Sequence, residues 1–140
     1  RDGGDRRIDL GSGGPPGDCR IAGRRDLGKR TRTWAKGVSA LIYTVFASRD
    51  DARPVATRLL DERLIACANV IGRVEALFEW DGERGSGKEI AVLFKTHADR
   101  LDPAVARLES LHPYDTPAIL GWRADTSGKA TVRWLSGLLG

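Results

Sequence analysis

The eight residues ALIYTVFA, positions 40–47, decide the fold. The run is nearly all apolar and rich in residues that favour extended backbone. A short apolar run without alternation reads as a central strand covered on both faces. SRDDARPVATRLLDERL (48–64) follows at once. Ser48 or Asp50 supplies a helix cap, Asp51 suits the first turn, and Pro54 must lie near the helix start. Val55, Leu59, Leu60 and Leu64 mark the buried face, while Arg58, Asp61 and Glu62 face water.

Working outward, ACANVIGRVEALFEW (66–80) ends in alternation: Val74, Ala76, Phe78 and Trp80 on one face, Arg73, Glu75, Leu77 and Glu79 on the other. Gly72 interrupts the run and predicts a bulge. DGERGSGKE (81–89) reads as a glycine-rich turn and IAVLFKT (90–96) as the returning strand. A helix then starts between Ala98 and Pro103, buries Leu101, Val105 and Leu108, and stops near Leu111, because His112 precedes a proline. AILGW (118–122) is a fourth strand with Pro117 at its entrance, and a short amphipathic helix with Val132, Leu135 and Leu139 closes the chain. The order is α+β: a ferredoxin-like βαββαβ unit with an antiparallel sheet, plus a C-terminal helix. Helices cover one sheet face in that arrangement, yet the first strand is apolar on both. The second face therefore calls for another copy of the chain.

The net charge of +4 is unevenly placed. Residues 1–37 hold ten Arg and Lys against five Asp, whereas residues 38–140 hold thirteen against fourteen acidic residues. A basic nucleic-acid-binding domain is not indicated. Residues 1–37, rich in Gly and Arg, lack any apolar period, so they are expected to be a disordered tail preceding a domain at 38–140. The chain has no Met, and ordered-looking sequence starts sharply at Val38, as it would if the gene began on a valine codon there. No stretch approaches the roughly 18 apolar residues of a membrane span, and no signal peptide is visible. Cys19 and Cys67 do not look like a disulfide framework, which favours a cytoplasmic protein with no membrane partner.

Five segments fall in one order: LIACANV (64–70), FEWDGE (78–83), EIAVLFKT (89–96), LHPYDTP (111–117) and TVRWL (131–135). Together they resemble the CutA family of divalent-cation tolerance proteins, over residues 40 to about 138. The resemblance implies a ferredoxin-like chain in a tight homotrimer akin to the PII signalling proteins, a link to copper and other divalent metals, no organic cofactor and no established enzymatic reaction. Where the family often has Glu after the Tyr of the corner motif, this chain has Asp115.

Each candidate residue carries a structural reading beside a functional one. His112 is either a buried bracket at a helix-to-strand corner or a soft-metal ligand through neutral imidazole. Cys67 is either a small hydrophobe or a thiolate ligand for Cu(I). The fold order lets these two approach, within a chain or across an interface, and Asp115, water or a second subunit would complete the set. Tyr114 reads as structural, with its hydroxyl paired. Lys95 pairs with Glu89 or Asp115, greets an anion in a cleft, or is simply solvated. Trp80, with Phe78 beside it, reads as a subunit-contact anchor on the hairpin. Two rival functions share the topology. An acylphosphatase-like hydrolase needs a phosphate cradle after the first strand, and Asp50 and Asp51 would repel the anion there. A PII-like sensor would bind a small anion in clefts between subunits.

Overall fold

The computed structural model describes residues 37–140; the readings made for the preceding tail, Cys19 included, lie outside the described residues. The elements are β1 (Ser39–Phe46), α1 (Arg49–Asp61), β2 (Cys67–Trp80), β3 (Glu83–His97), one 3-10 turn (Ala98–Arg100), α2 (Leu101–Leu111), β4 (Leu120–Arg123), α3 (Lys129–Ser136) and a final 3-10 turn (Gly137–Leu139). The four strands form one antiparallel sheet in the order β2-β3-β1-β4. That is the expected ferredoxin-like α+β arrangement with β1 central.

Alternation along β1 sets the two faces. Ala40, Ile42, Thr44 and Phe46 are buried beneath the helices, and Leu41, Tyr43 and Val45 are only half-buried on the other face. Phe46, Ile42, Val92 and Phe94 from the sheet meet Val55 and Leu59 of α1 and Leu101, Ala104 and Leu108 of α2 in one core. The Ser48 hydroxyl caps α1 by accepting from the Asp51 N–H at 3.1 Å, as the sequence suggests. Leu60 departs from the expected stripe: it is 42% exposed, and Ala52 and Ala56 complete the buried face instead. At β4, Gly121 allows close packing, since a Cβ there would come within 2.9 Å of Leu101 Cδ1.

Gly72 has φ +131° and the β2–β3 register slips between Val70 and Gly72, so the predicted bulge is present. The expected nine-residue turn is not. Only Asp81 and Gly82 turn, with φ of 54° and 80°, and β3 starts at Glu83. An Asp-Gly pair with both φ positive is the two-residue hairpin turn whose twist matches the strands; the glycines after it are strand residues. Two smaller corrections concern the C-terminal region. The fourth strand starts at Leu120, three residues beyond Pro117. The buried residues of the last helical segment are Leu135 and Leu138, with Leu139 42% exposed, because the 3-10 turn changes the helical phase.

β3 pairs with β1 only from Ile90 to His97, whereas its pairing with β2 continues out to Trp80–Glu83. Residues 73–89 are thus a two-stranded arm reaching past the sheet. Leu77 (77% exposed), Phe78 (48%) and Trp80 (64%) ride on it.

Candidate functional site

The α2-to-β4 corner is built around His112, which is 7% exposed. Its ring stacks on Phe46 with centroids 4.5 Å apart and planes 4° from parallel. The Tyr114 N–H donates to Nδ1 at 3.1 Å, so Nδ1 carries no proton. Nε2 then holds the hydrogen of the neutral ring and donates to the Val45 carbonyl at 2.9 Å. Thr44 Oγ1 lies 3.2 Å from the same nitrogen while donating its own proton to the Ala118 carbonyl at 2.8 Å. Thr44 is the site member that the sequence reading missed; its signal was a small hydroxyl residue in the middle of a largely apolar run. Burial holds the His112 pKa below its ordinary value, against the opposing pull of the Val45 carbonyl and of the Asp51 and Glu89 charges.

This geometry makes His112 a bracket. Both ring nitrogens are engaged, and a metal could take Nδ1 only by breaking the bond from Tyr114 N–H. Cys67 does not join it within the chain. Cys67 pairs with Lys95, which pairs with Leu41, on the face away from the helices. His112 sits on the helix face beside Thr44 and Val45, roughly 13 Å farther along the strands. Cys67 is a half-buried free thiol, 3.7 Å from Asn69 Oδ1. Asp115 is exposed. Among the described residues no three His, Cys, Asp or Glu side chains come together as a metal centre. The donors among the described residues of one chain therefore do not fit a metal site.

Lys95 and Glu89 are also separated, because six residues of one strand span roughly 20 Å. Neither forms an ion pair with the other, or with Asp115, among the described residues. Glu89 instead lines the same cavity as Tyr114. The Tyr114 phenol is pushed above its usual value, first by burial, then by the Glu89 and Asp51 charges and a hydrogen bond to Glu89. These two residues line a cavity of about 590 Å³ between the arm and the corner, with Val45, Phe78, Trp80 and Pro117 among its other walls. A second concavity, of about 580 Å³, lies at the start of α1. Arg49, Arg73 and Lys88 share it with Asp50 and Glu89, so its charge is mixed. The carboxylates at the helix start oppose phosphate capture there, as the sequence suggests.

A four-stranded antiparallel sheet, a projecting hairpin and a His-Pro-Tyr corner define a small α+β protein of ferredoxin-like fold. The model of the CutA1 divalent ion tolerance protein family matches residues 40–137, and the chain belongs to that family. It is 37% identical over 95 residues to the divalent-cation tolerance protein CutA of Pyrococcus horikoshii, spanning 68% of this chain and 92% of that one. Among solved structures, CutA1 from Ehrlichia chaffeensis superposes with a TM-score of 0.69 at 29% identity, covering 74% of this chain and 97% of its own. The protein from Archaeoglobus fulgidus, named a periplasmic divalent cation tolerance protein, gives 0.68 at 25% identity, covering 73% and 99%.

Proposed function

We propose that this chain acts as a non-enzymatic homotrimer in divalent-metal tolerance, with copper as its metal. The observation that carries the assembly is the arm of residues 73–89. A two-stranded ribbon is barely stable by itself in water, and this one displays Leu77, Phe78 and Trp80 to solvent. A second copy is the partner that covers them, with Trp80 as the anchor. The number three comes from the family resemblance. The metal part is supported by the relatives' names for divalent-cation tolerance. In this reading Cys67 is the soft donor and the remaining ligands come from another subunit, since the described residues of one chain do not assemble them. His112 leaves the ligand set and serves as the bracket.

No helix of the described residues is long and apolar enough to cross a membrane. We place the protein in the cytoplasm, where Cys67 would stay reduced; fractionation of the source cells tests that against the periplasm. Light scattering of the purified chain should give a trimer mass at micromolar concentration. Cu(I) titration read by native mass spectrometry should show binding that Cys67→Ser abolishes and His112→Ala leaves intact. A monomer mass would defeat the assembly reading; copper binding indifferent to Cys67→Ser would defeat the ligand assignment.

A further inference from the structure

We infer that the concavity beside the start of α1 binds a small dicarboxylate. Three cationic side chains converge on it from separate segments: Arg49 from α1, Arg73 from β2 and Lys88 from β3. Strand parity explains two of them. Arg73 pairs with Ile90 and Ile90 with Phe46, and these two apolar residues are buried on the helix face. Arg73, and Lys88 two residues before Ile90, therefore point to that same face. They are diagonal neighbours across the ladder, roughly 7–8 Å apart. Arg49 closes the third side. Its Nη2 lies 4.0 Å from where a Cβ of Gly72 would stand, so the guanidinium reaches across to the bulge. None of the three forms an ion pair among the described residues. Like charges gathered without a counter-ion repel one another, and an anion between them removes that cost.

The acidic neighbours narrow the choice of anion. Glu89 pairs with Val74, so its side chain belongs to the opposite face, where it lines the other cavity. Glu75 lies across the ladder from Lys88 but makes no ion pair with it. Asp50 shares the wall, and Asp51 follows it in the first turn of α1. A compact phosphate drawn to the helix start would meet both. A dicarboxylate spreads its charge away from them, one end in the Arg49 and Arg73 forks and the other at Lys88. Guanidinium forks match a carboxylate oxygen for oxygen. Ile90, 8% exposed, and Ala47 give the floor an apolar surface for the methylene groups. The volume of about 580 Å³ holds a molecule of that size. Phe78 and Trp80, given above to contact with another copy, project from the opposite face of the arm and do not line this concavity.

The test is calorimetric titration of the full chain with succinate, in metal-free and phosphate-free buffer of low ionic strength. Succinate should bind saturably in the millimolar range. Butyrate, with the same chain length but one carboxylate, should bind about fivefold more weakly. Arg73→Gln and Lys88→Gln should each weaken succinate about threefold, and the two combined with Arg49→Gln should abolish saturation. Mass by light scattering should stay unchanged, since all three side chains are exposed. Equal binding of butyrate would overturn the proposal, and so would inorganic phosphate binding more tightly than succinate, because either would mean a patch of charge without a shaped site. An affinity untouched by Arg73→Gln would overturn it too, as would no saturation at all, the result expected if another copy covers the concavity. The comparison of the three anions uses the native chain and decides the matter even if a variant fails to fold. The concavity is built by one chain, so neither a monomer mass nor a lack of copper binding bears on it.

Discussion

Replacing His112 by Ala should destabilise the protein by about 3–4 kcal/mol, from two separable losses. The first is packing. The ring is 93% buried in effect, being 7% exposed, and lies flat on Phe46 at 4.5 Å. Truncating large aromatic side chains in cores costs about 3–5 kcal/mol, and the smaller imidazole should cost about 2 of these. The second is polar. The Tyr114 N–H and the Val45 carbonyl both lose the ring, whereas Thr44 keeps Ala118. A buried group left unpaired costs about 1–3 kcal/mol, reduced here because Pro113 and Asp115 beside the corner are exposed and admit water. His112→Phe keeps the stack and discards the bonds, so it should lose about 1–2 kcal/mol and isolate the polar share. Urea unfolding at one fixed protomer concentration measures both, since assembly would otherwise shift the midpoint. A loss below about 1 kcal/mol in the Ala variant would refute the bracket. So would a Phe variant as damaged as Ala, because packing would then contribute nothing.

The same ring makes stability pH-dependent. Its folded pKa lies below the ordinary 6.5, so the unfolded chain takes up the proton first and stability falls as pH drops below about 6.5. Asp51 and Glu89 soften that fall, and His112→Phe should flatten this part of the unfolding-versus-pH profile. Gly121→Val should cost about 1–3 kcal/mol in urea, because the new side chain meets Leu101 and Val105 across the α2–β4 contact. Gly85→Ala should change stability by under about 1 kcal/mol, since the half-exposed Phe78 ring can swing away. Trp80→Ala should raise the concentration at which light scattering reports dissociation; an unaltered profile would remove Trp80 from the interface.

The order of elements was legible because each follows from local chemistry. The apolar run at 40–47, the Ser48 cap, the alternation of 73–80, the bulge at Gly72 and the stop imposed by Pro113 are all decided within a few residues. The His-Pro-Tyr corner could be singled out for the same reason, since two prolines and a histidine close together restrict the chain wherever it sits. Length of the hairpin was misjudged because glycines signal turn and extended strand alike, and cross-strand pairing decides between them. Glu83–Glu89 become strand by bonding to residues 74–80, a partner that composition does not name.

Which side chains meet was decided by the tertiary structure alone. A strand sends neighbours to opposite faces and separates residues by about 3.3 Å each. That spacing and parity put Cys67 and Lys95 far from His112 and Glu89, although all four had been candidates for shared sites. It also brought Thr44 to His112, 68 residues apart in sequence, and set Glu89 and Tyr114 around one cavity. The sequence determined that a rigid corner would form; the fold determined that its histidine would be consumed in holding it, because Phe46, Val45 and the Tyr114 N–H all converge on the one ring.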